Sequence, residues 1–260
     1  MSLLEVEGLG ISFGGLKAVN NVSFDVQEGQ VMTIIGPNGA GKTTLFNMLS
    51  GIYPPEEGKV RLNGVDTTGI APHLLAQLGM SRTFQNLQIF STMSVLENVA
   101  TGFHLQEKGS LWSDIVGLLS ARRRARKSEE EAYKLLERIG LERAYHLDAE
   151  SLSYGSLKRL EIARALALNP KILLLDEPVA GCNAVETEEI EDLILEIAKT
   201  GVAILLVEHD MKMVMRISDH IVVLDHGEKI AEGLPQEMAR HPRVIEAYLG
   251  AAAAEEMGVC

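Results

Sequence analysis

The sequence is short of cysteine, of basic residues and of long apolar runs, and each shortage closes a class. Two cysteines, Cys182 and Cys260, in 260 residues are too few and too far apart for a disulfide-stapled fold or a cysteine zinc site. Cys182 is expected to be a small buried thiol and Cys260 to lie in a frayed terminus, both reduced as in the cytosol. Lysine and arginine number 24 against 36 aspartates and glutamates, so 24 − 36 = −12. That deficit argues against a nucleic-acid partner, whose phosphates need clustered Lys and Arg, and less strongly against adhesion to an anionic bilayer by charge alone. No apolar run approaches the ~20 residues that span a bilayer; residues 202–207 are among the longest. The first ten residues carry Glu5 and Glu7 in place of the basic-then-apolar pattern of a secretory leader. A soluble, cytoplasmic protein is expected.

What is present is ordinary for a globular chain, with 46% hydrophobic and 23% charged residues; disordered and collagen-like readings are excluded. The length suffices for one large domain or two small ones and for a sizeable core. Short β-branched runs alternate with longer helical ones, the pattern of a parallel sheet covered by helices. Strands are expected at 22–26, 31–35, 59–62, 172–175, 202–207 and 221–224. Those at 31–35, 172–175 and 202–207 are apolar almost throughout, as central parallel strands buried on both faces should be. Residues 4–8, 22–26 and 59–63 alternate more and predict a partly exposed antiparallel portion. Between 85 and 151 the chain turns rich in Glu, Arg and Leu, which predicts a helical insertion. No internal repeat is visible, and 251–260 reads as a frayed tail.

Gly36-Pro37-Asn38-Gly39-Ala40-Gly41-Lys42-Thr43 matches G-x-x-x-x-G-K-[ST] in full. Its glycines let successive backbone N–H groups point at phosphates. Lys42 supplies a point charge to the β- and γ-phosphates, and the Thr43 hydroxyl can ligate Mg²⁺. The helix that follows, through Thr44 and Leu45, directs its positive dipole end at the same anion. Nucleotide binding is therefore expected. Ile172-Leu173-Leu174-Leu175-Asp176-Glu177-Pro178 is an apolar strand ending in two acids. Asp176 is placed to hold Mg²⁺, directly or through water, and Glu177 to polarise a water attacking the γ-phosphate. Pro178 has no N–H to give a ladder and stops the strand.

With these segments the chain resembles the ATP-binding cassette (ABC) ATPases over nearly its whole length. The discriminating run is Leu152-Ser153-Tyr154-Gly155-Ser156-Leu157-Lys158-Arg159-Leu160, which looks like the family's signature motif just upstream of the acidic strand. Ser153 and Gly155 precede a helix and so sit at a positive dipole end. The resemblance implies that this end caps the γ-phosphate held by a facing subunit, with ATP joining a head-to-tail dimer. Tyr154 and Ser156 depart from the common Leu-Ser-Gly-Gly-Gln form. The resemblance further implies that Phe13 stacks on adenine; a phenylalanine facing the core is the competing reading. It makes Gln85 the glutamine that reaches the metal and the attacking water, and His209 the histidine that hydrogen-bonds the γ-phosphate. Asn183 stands where the D-loop usually has Asp.

Within the family the chain is most similar to ATPase subunits of branched-chain (hydrophobic) amino-acid importers, through Phe13-Gly14-Gly15-Leu16, Arg82-Thr83-Phe84-Gln85-Asn86, Glu208-His209-Asp210-Met211 and Pro242-Arg243-Val244-Ile245. Lipopolysaccharide-export ATPases share much of this pattern. A non-transport ABC protein, or a nucleotide-gated module without hydrolysis, would carry part of it. The implied fold is an α/β P-loop NTPase, a RecA-like mostly parallel sheet with an antiparallel β portion and a helical subdomain. One ABC ATPase domain is expected over 1–250, its nucleotide core at about 1–85 and 156–240 and its helical subdomain at about 86–155. The implied ligands are ATP and Mg²⁺. The implied partners are membrane permease subunits, a second ATPase subunit (the same or a related chain) and, indirectly, a solute-binding protein. The basic run 122–127 reads as a solvated helical stretch with intrahelical ion pairs, or as a contact to lipid headgroups or a permease loop.

Overall fold

A computed structural model describes residues 2–85, 87–106 and 118–249. The tail at 251–260, with Cys260, lies outside the described residues, as do the side chains of Arg122, Arg123 and Arg124. Two compact units emerge, one of residues 1–80, 171–177 and 194–260, the other of 81–170 and 178–193. The division places 81–85, 156–170 and 178–193 in the helical unit, whereas the sequence pattern assigns them to the nucleotide core. The reason is local packing: the helix Tyr154–Leu166 packs against the helices Val95–Ala100 and Leu118–Arg138.

In the first unit an antiparallel sheet has the order β2-β1-β4-β5, from β1 (Ser2–Phe13), β2 (Leu16–Gln27), β4 (Glu57–Leu62) and β5 (Val65–Asp66). The alternation in 4–8 and 22–26 predicts short strands; the observed hairpin is longer because Gly14 and Gly15 turn the chain tightly at its tip, both at positive φ. The second sheet has the order β10-β9-β3-β8-β7-β6. Its members are β3 (Val31–Ile35), β7 (Ile172–Asp176), β8 (Ala203–Val207), β9 (His220–Asp225), β10 (Glu228–Gly233) and the Met80 end of β6 (Met80–Arg82). β9, β3, β8 and β7 pair in parallel, and β10 pairs antiparallel with β9.

β3, β7 and β8 are buried at every position, as their uninterrupted apolar character requires. Their side chains divide by the period of two. Ile34, Leu174, Leu205 and Val222 face a core shared with the antiparallel sheet and the helix Lys42–Leu49. Ile35, Ile221 and Val223 face a smaller core with Val214, Met238 and Val244. β6 and β10 carry no apolar run of their own and were not expected; both are edge strands, which need only one partner.

In the second unit, Ser94 and Glu97 form a capping box at the helix Val95–Ala100. Buried Asn98 pins the loop before it, donating from Nδ2 to Phe90 O and Ser94 O at 3.0 Å each and accepting from Phe90 N–H at 3.0 Å. The basic run 122–127 lies within the helix Leu118–Arg138, and its Arg126 pairs with Glu130 at 3.3 Å, one turn on. Among the described residues no helix is long and apolar enough to cross a membrane.

Candidate functional site

Strand register builds the site. Ile34 lies opposite Val207, and Val207 opposite Asp176, in adjacent parallel strands. These three residues form one lateral row near the carboxyl edge of the sheet, where loops of open α/β folds gather ligand-binding groups. The phosphate loop leaves β3 at Gly36, Glu177 follows β7 directly, and His209 stands two residues beyond β8.

The loop from Gly36 to Gly41 is shaped by close approach. A Cβ on Gly36 would stand 2.2 Å from Leu224 O, and one on Gly41 would stand 2.5 Å from Ala18 O. Gly41 also holds φ 96° as the N-cap of the helix Lys42–Leu49, a left-handed conformation that favours glycine. Pro37 accepts from Ala40 N–H at 3.2 Å, and Ala40 accepts from Gly227 N–H at 3.1 Å, tying the loop to the β9–β10 turn. Asn38, Gly39 and Thr43 are exposed, with Thr44 partly so. The Lys42 ammonium folds back over the loop, donating to Gly36 O at 2.7 Å and Pro37 O at 3.0 Å. Burial draws it below the ordinary lysine value, and the Glu177 charge opposes that shift.

Asp176 is buried at the end of β7. Glu177 turns the chain out of the strand at φ 49°, and its N–H donates to Val207 O at 3.0 Å. A left-handed non-glycine residue stores ~1–3 kcal/mol and is concentrated at functional positions. His209 is exposed, its Nδ1 3.8 Å from Glu177 Oε1 and equally 3.8 Å from Glu208 Oε2, beyond hydrogen-bond reach. Buried Glu208 fixes that turn by accepting from the backbone N–H of His209 at 2.9 Å and of Asp210 at 3.3 Å. Asp210 then caps the helix Met211–Ile217. Glu208 is not among the site residues expected from sequence; an acid ending an apolar strand, beside a chemically useful histidine, is the signal that could have found it.

Phe13 ends β1 and is 46% exposed, so it does not face the core. Its ring meets Tyr53 edge-on, with centroids 5.4 Å apart. Tyr248, on the helix Pro242–Leu249, is 40% exposed; partial burial raises its phenol, and the Gly36 N–H opposes that shift. A cavity of about 640 Å³ runs beside the loop, with Asn38, Gly39, Asp225, His226, Arg243 and Glu246 in its lining.

In the second unit, Ser153 is the N-cap of the helix Tyr154–Leu166, its Oγ accepting from Ser156 N–H at 3.3 Å. Gly155 lies inside the first turn rather than before the helix. Exposed Gln85 sits in a loop held by buried Glu161, whose Oε1 accepts from Phe84 N–H at 3.5 Å and Gln88 N–H at 3.4 Å. Burial raises the Glu161 carboxyl, against those hydrogen bonds and the charges of Lys158 and Arg164. Beside it a cavity of about 510 Å³ is lined by Leu87, Ile89, Phe90, Gly102, Arg164 and Leu168 among others. Cys182, expected to be buried, is of intermediate exposure and outside any disulfide.

Thr43 and Asp176 offer a hydroxyl and a carboxylate, the hard oxygen donors that Mg²⁺ takes alongside water and substrate phosphate. The residues present therefore fit that ion.

A phosphate loop leaving the centre of a parallel sheet, with acids and a histidine leaving the same row, defines a P-loop nucleotide-binding α/β protein. Within that class, a family model described as ABC transporter matches residues 19–180. The chain belongs to that family and is an ATP-binding cassette ATPase. Residues 228–254 match a second model, described as branched-chain amino acid ATP-binding cassette transporter. The chain is 45% identical over 251 residues to the high-affinity branched-chain amino acid transport ATP-binding protein BraF of Pseudomonas aeruginosa, covering 96% of this chain and 98% of that one. The same identity and coverage hold for LivG of Escherichia coli, which bears the same description. Among solved structures, the ADP conformation of MJ1267, an ATP-binding cassette of an ABC transporter, is 35% identical with a TM-score of 0.83, over 96% of this chain and 99% of that one. The dimeric cassette MJ0796 is 25% identical with a TM-score of 0.74, over 89% and 98%.

Proposed function

We propose that this chain hydrolyses MgATP to energise import of branched-chain or other hydrophobic amino acids, working as a dimer of cassettes beneath membrane permease subunits. The match of residues 228–254 to the branched-chain amino acid cassette model carries the substrate class; the dimeric structural neighbour supports the dimer. The second cassette is the same or a related chain, and a solute-binding protein delivers cargo to the permease. The chain resides on the inner face of the cell membrane through its permease, with no nucleic acid involved.

In this reading Phe13 stacks on adenine, for which a flat apolar face suffices. The backbone N–H groups from Gly36 to Thr44 surround the phosphates, and Lys42 turns its ammonium from the loop carbonyls to the β- and γ-phosphates. Thr43, Asp176 and Gln85 would hold Mg²⁺, directly or through water, and the bound ion would supply neutralisation of the phosphate charge. Glu177 accepts a proton from the water that attacks the γ-phosphorus in line, as the bond from that phosphorus to the β–γ bridging oxygen breaks and ADP leaves. His209 hydrogen-bonds the γ-phosphate. Ser153 and Gly155 present donors to the nucleotide of the facing subunit. Positioning and charge neutralisation supply most of the rate.

The groove at Leu87, Ile89 and Phe90 takes a permease helix. Phe90 is 51% exposed and lies under the Arg164 guanidinium at 5.6 Å. Co-expression with the candidate permease subunits tests the reading. Phe90→Asp is expected to abolish co-purification while ATP affinity stays within about twofold, because truncating or charging a groove anchor acts on the interface. Undiminished co-purification, or no ATP hydrolysis by the wild-type complex, contradicts it.

A further inference from the structure

The helix Ala184–Lys199 begins with a carboxylate that is seated on the signature end of the helix Tyr154–Leu166. Glu186 Oε1 accepts from Gly155 N–H at 3.1 Å and from the Ser153 hydroxyl at 3.1 Å, a hydroxyl that Ser156 Oγ also approaches at 3.1 Å. Its Oε2 accepts from Asn183 N–H at 3.1 Å. Asn183 Oδ1 in turn accepts from Val185 N–H at 3.0 Å and Glu186 N–H at 3.1 Å, so the D-loop position locks the carboxylate in place. Gly155 makes the contact possible, since a Cβ there would stand 2.5 Å from Glu186 Cδ and Cγ. The Asn183 N–H holds the Glu186 carboxyl below its ordinary value, helped by Gly155, Ser153 and Arg159 against a burial effect. Glu186 is therefore an anion at neutral pH.

Gly155 has one N–H and Ser153 one O–H to donate; the N–H is taken by a carboxylate oxygen, and the O–H is shared between that oxygen and Ser156 Oγ. Under the function proposed above, the same two donors meet the γ-phosphate of the facing subunit. A phosphoryl oxygen and a carboxylate oxygen cannot share them, and two anions within hydrogen-bond distance of one donor repel. We infer that Glu186 is a resident anion on the signature end, displaced by the γ-phosphate when the dimer closes, so that it sets the ATP concentration needed for closure. Of the two anions, the γ-phosphate has the greater charge and makes the stronger charge-assisted bonds. ADP has no oxygen at that position with which to displace Glu186, so the same carboxylate sharpens discrimination between the two nucleotides.

This inference rests on the proposed dimer, and one titration separates the two. In a Glu177→Gln background, the ATP concentration for half-maximal dimerisation is measured by light scattering, with and without Glu186→Gln or Glu186→Ala. Both Glu186 variants are expected to lower that concentration by about tenfold, the scale on which a charge-assisted contact differs from a neutral one. A side chain that merely supports the fold would shift it the opposite way. Glu186→Gln keeps the size and an acceptor oxygen, so it decides the matter if Glu186→Ala melts early. An unchanged or raised ATP requirement in Glu186→Gln overturns the inference while leaving the function intact. If Glu177→Gln alone never dimerises with ATP, the functional reading fails first and this one with it.

Discussion

At Gly36 a single methyl group stands between the sequence and a closed phosphate loop. The alanine Cβ would lie 2.2 Å from Leu224 O and 3.1 Å from Leu224 C, and Leu224 is held within β9 opposite Lys229 of β10, which leaves its carbonyl little room to withdraw. Gly36→Ala is expected to cost at least the ~1–3 kcal/mol typical of overpacking, and to abolish nucleotide affinity. Thermal melts with and without ATP measure both. An unshifted melt with ATP affinity retained would show that the loop tolerates the methyl. Glu177 carries a different constraint: its left-handed backbone at φ 49° turns the chain away from β7 immediately after Asp176. The phosphate loop was legible because its chemistry depends on backbone N–H groups and so demands glycine at fixed spacing. The contacts of Glu208 and Glu186 were not legible, since they join residues through turns whose geometry the spacing alone does not fix.

Among the elements, the parallel strands were the most legible, because burial on both faces leaves an apolar run that few structures accommodate. β10 and β6 were illegible for the converse reason: an edge strand takes its structure from the neighbour it pairs with. The helical unit shows a cost as well as a constraint. Buried Glu161 on the helix Tyr154–Leu166 steadies the Gln85 loop, yet burial raises its carboxyl above the ordinary 4.5. The native state then binds more protons than the unfolded chain between 4.5 and that raised value, so this group's contribution to stability falls as pH rises through the window. Glu161→Gln keeps an acceptor for Phe84 and Gln88 N–H without the charge. Its melting temperature is expected to match the wild type near pH 4 and to exceed it at pH 7. A variant less stable than the wild type at pH 7 would mean that Lys158 and Arg164 more than offset the burial.

For the whole molecule, the acid excess of −12 and the anionic ligand are reconciled by locality: in the proposed function one loop of backbone N–H groups, with Lys42, attracts phosphate whatever the surface carries. Net charge has no bearing on docking through an apolar groove, the contact proposed here for the permease, which is why motif and composition point in different directions on the membrane. Dimer formation by Glu177→Gln is the most direct measure of the closing cassette. Removing the proposed proton acceptor while leaving the phosphate loop intact should slow hydrolysis by about 100-fold or more and trap the ATP-bound state. Size exclusion with light scattering is expected to show the variant doubling its mass from 28.3 kDa in MgATP and staying at that mass in MgADP. A variant that remains monomeric in MgATP, or that hydrolyses ATP at the wild-type rate, would contradict the assignment of Glu177 and the closing dimer built on it.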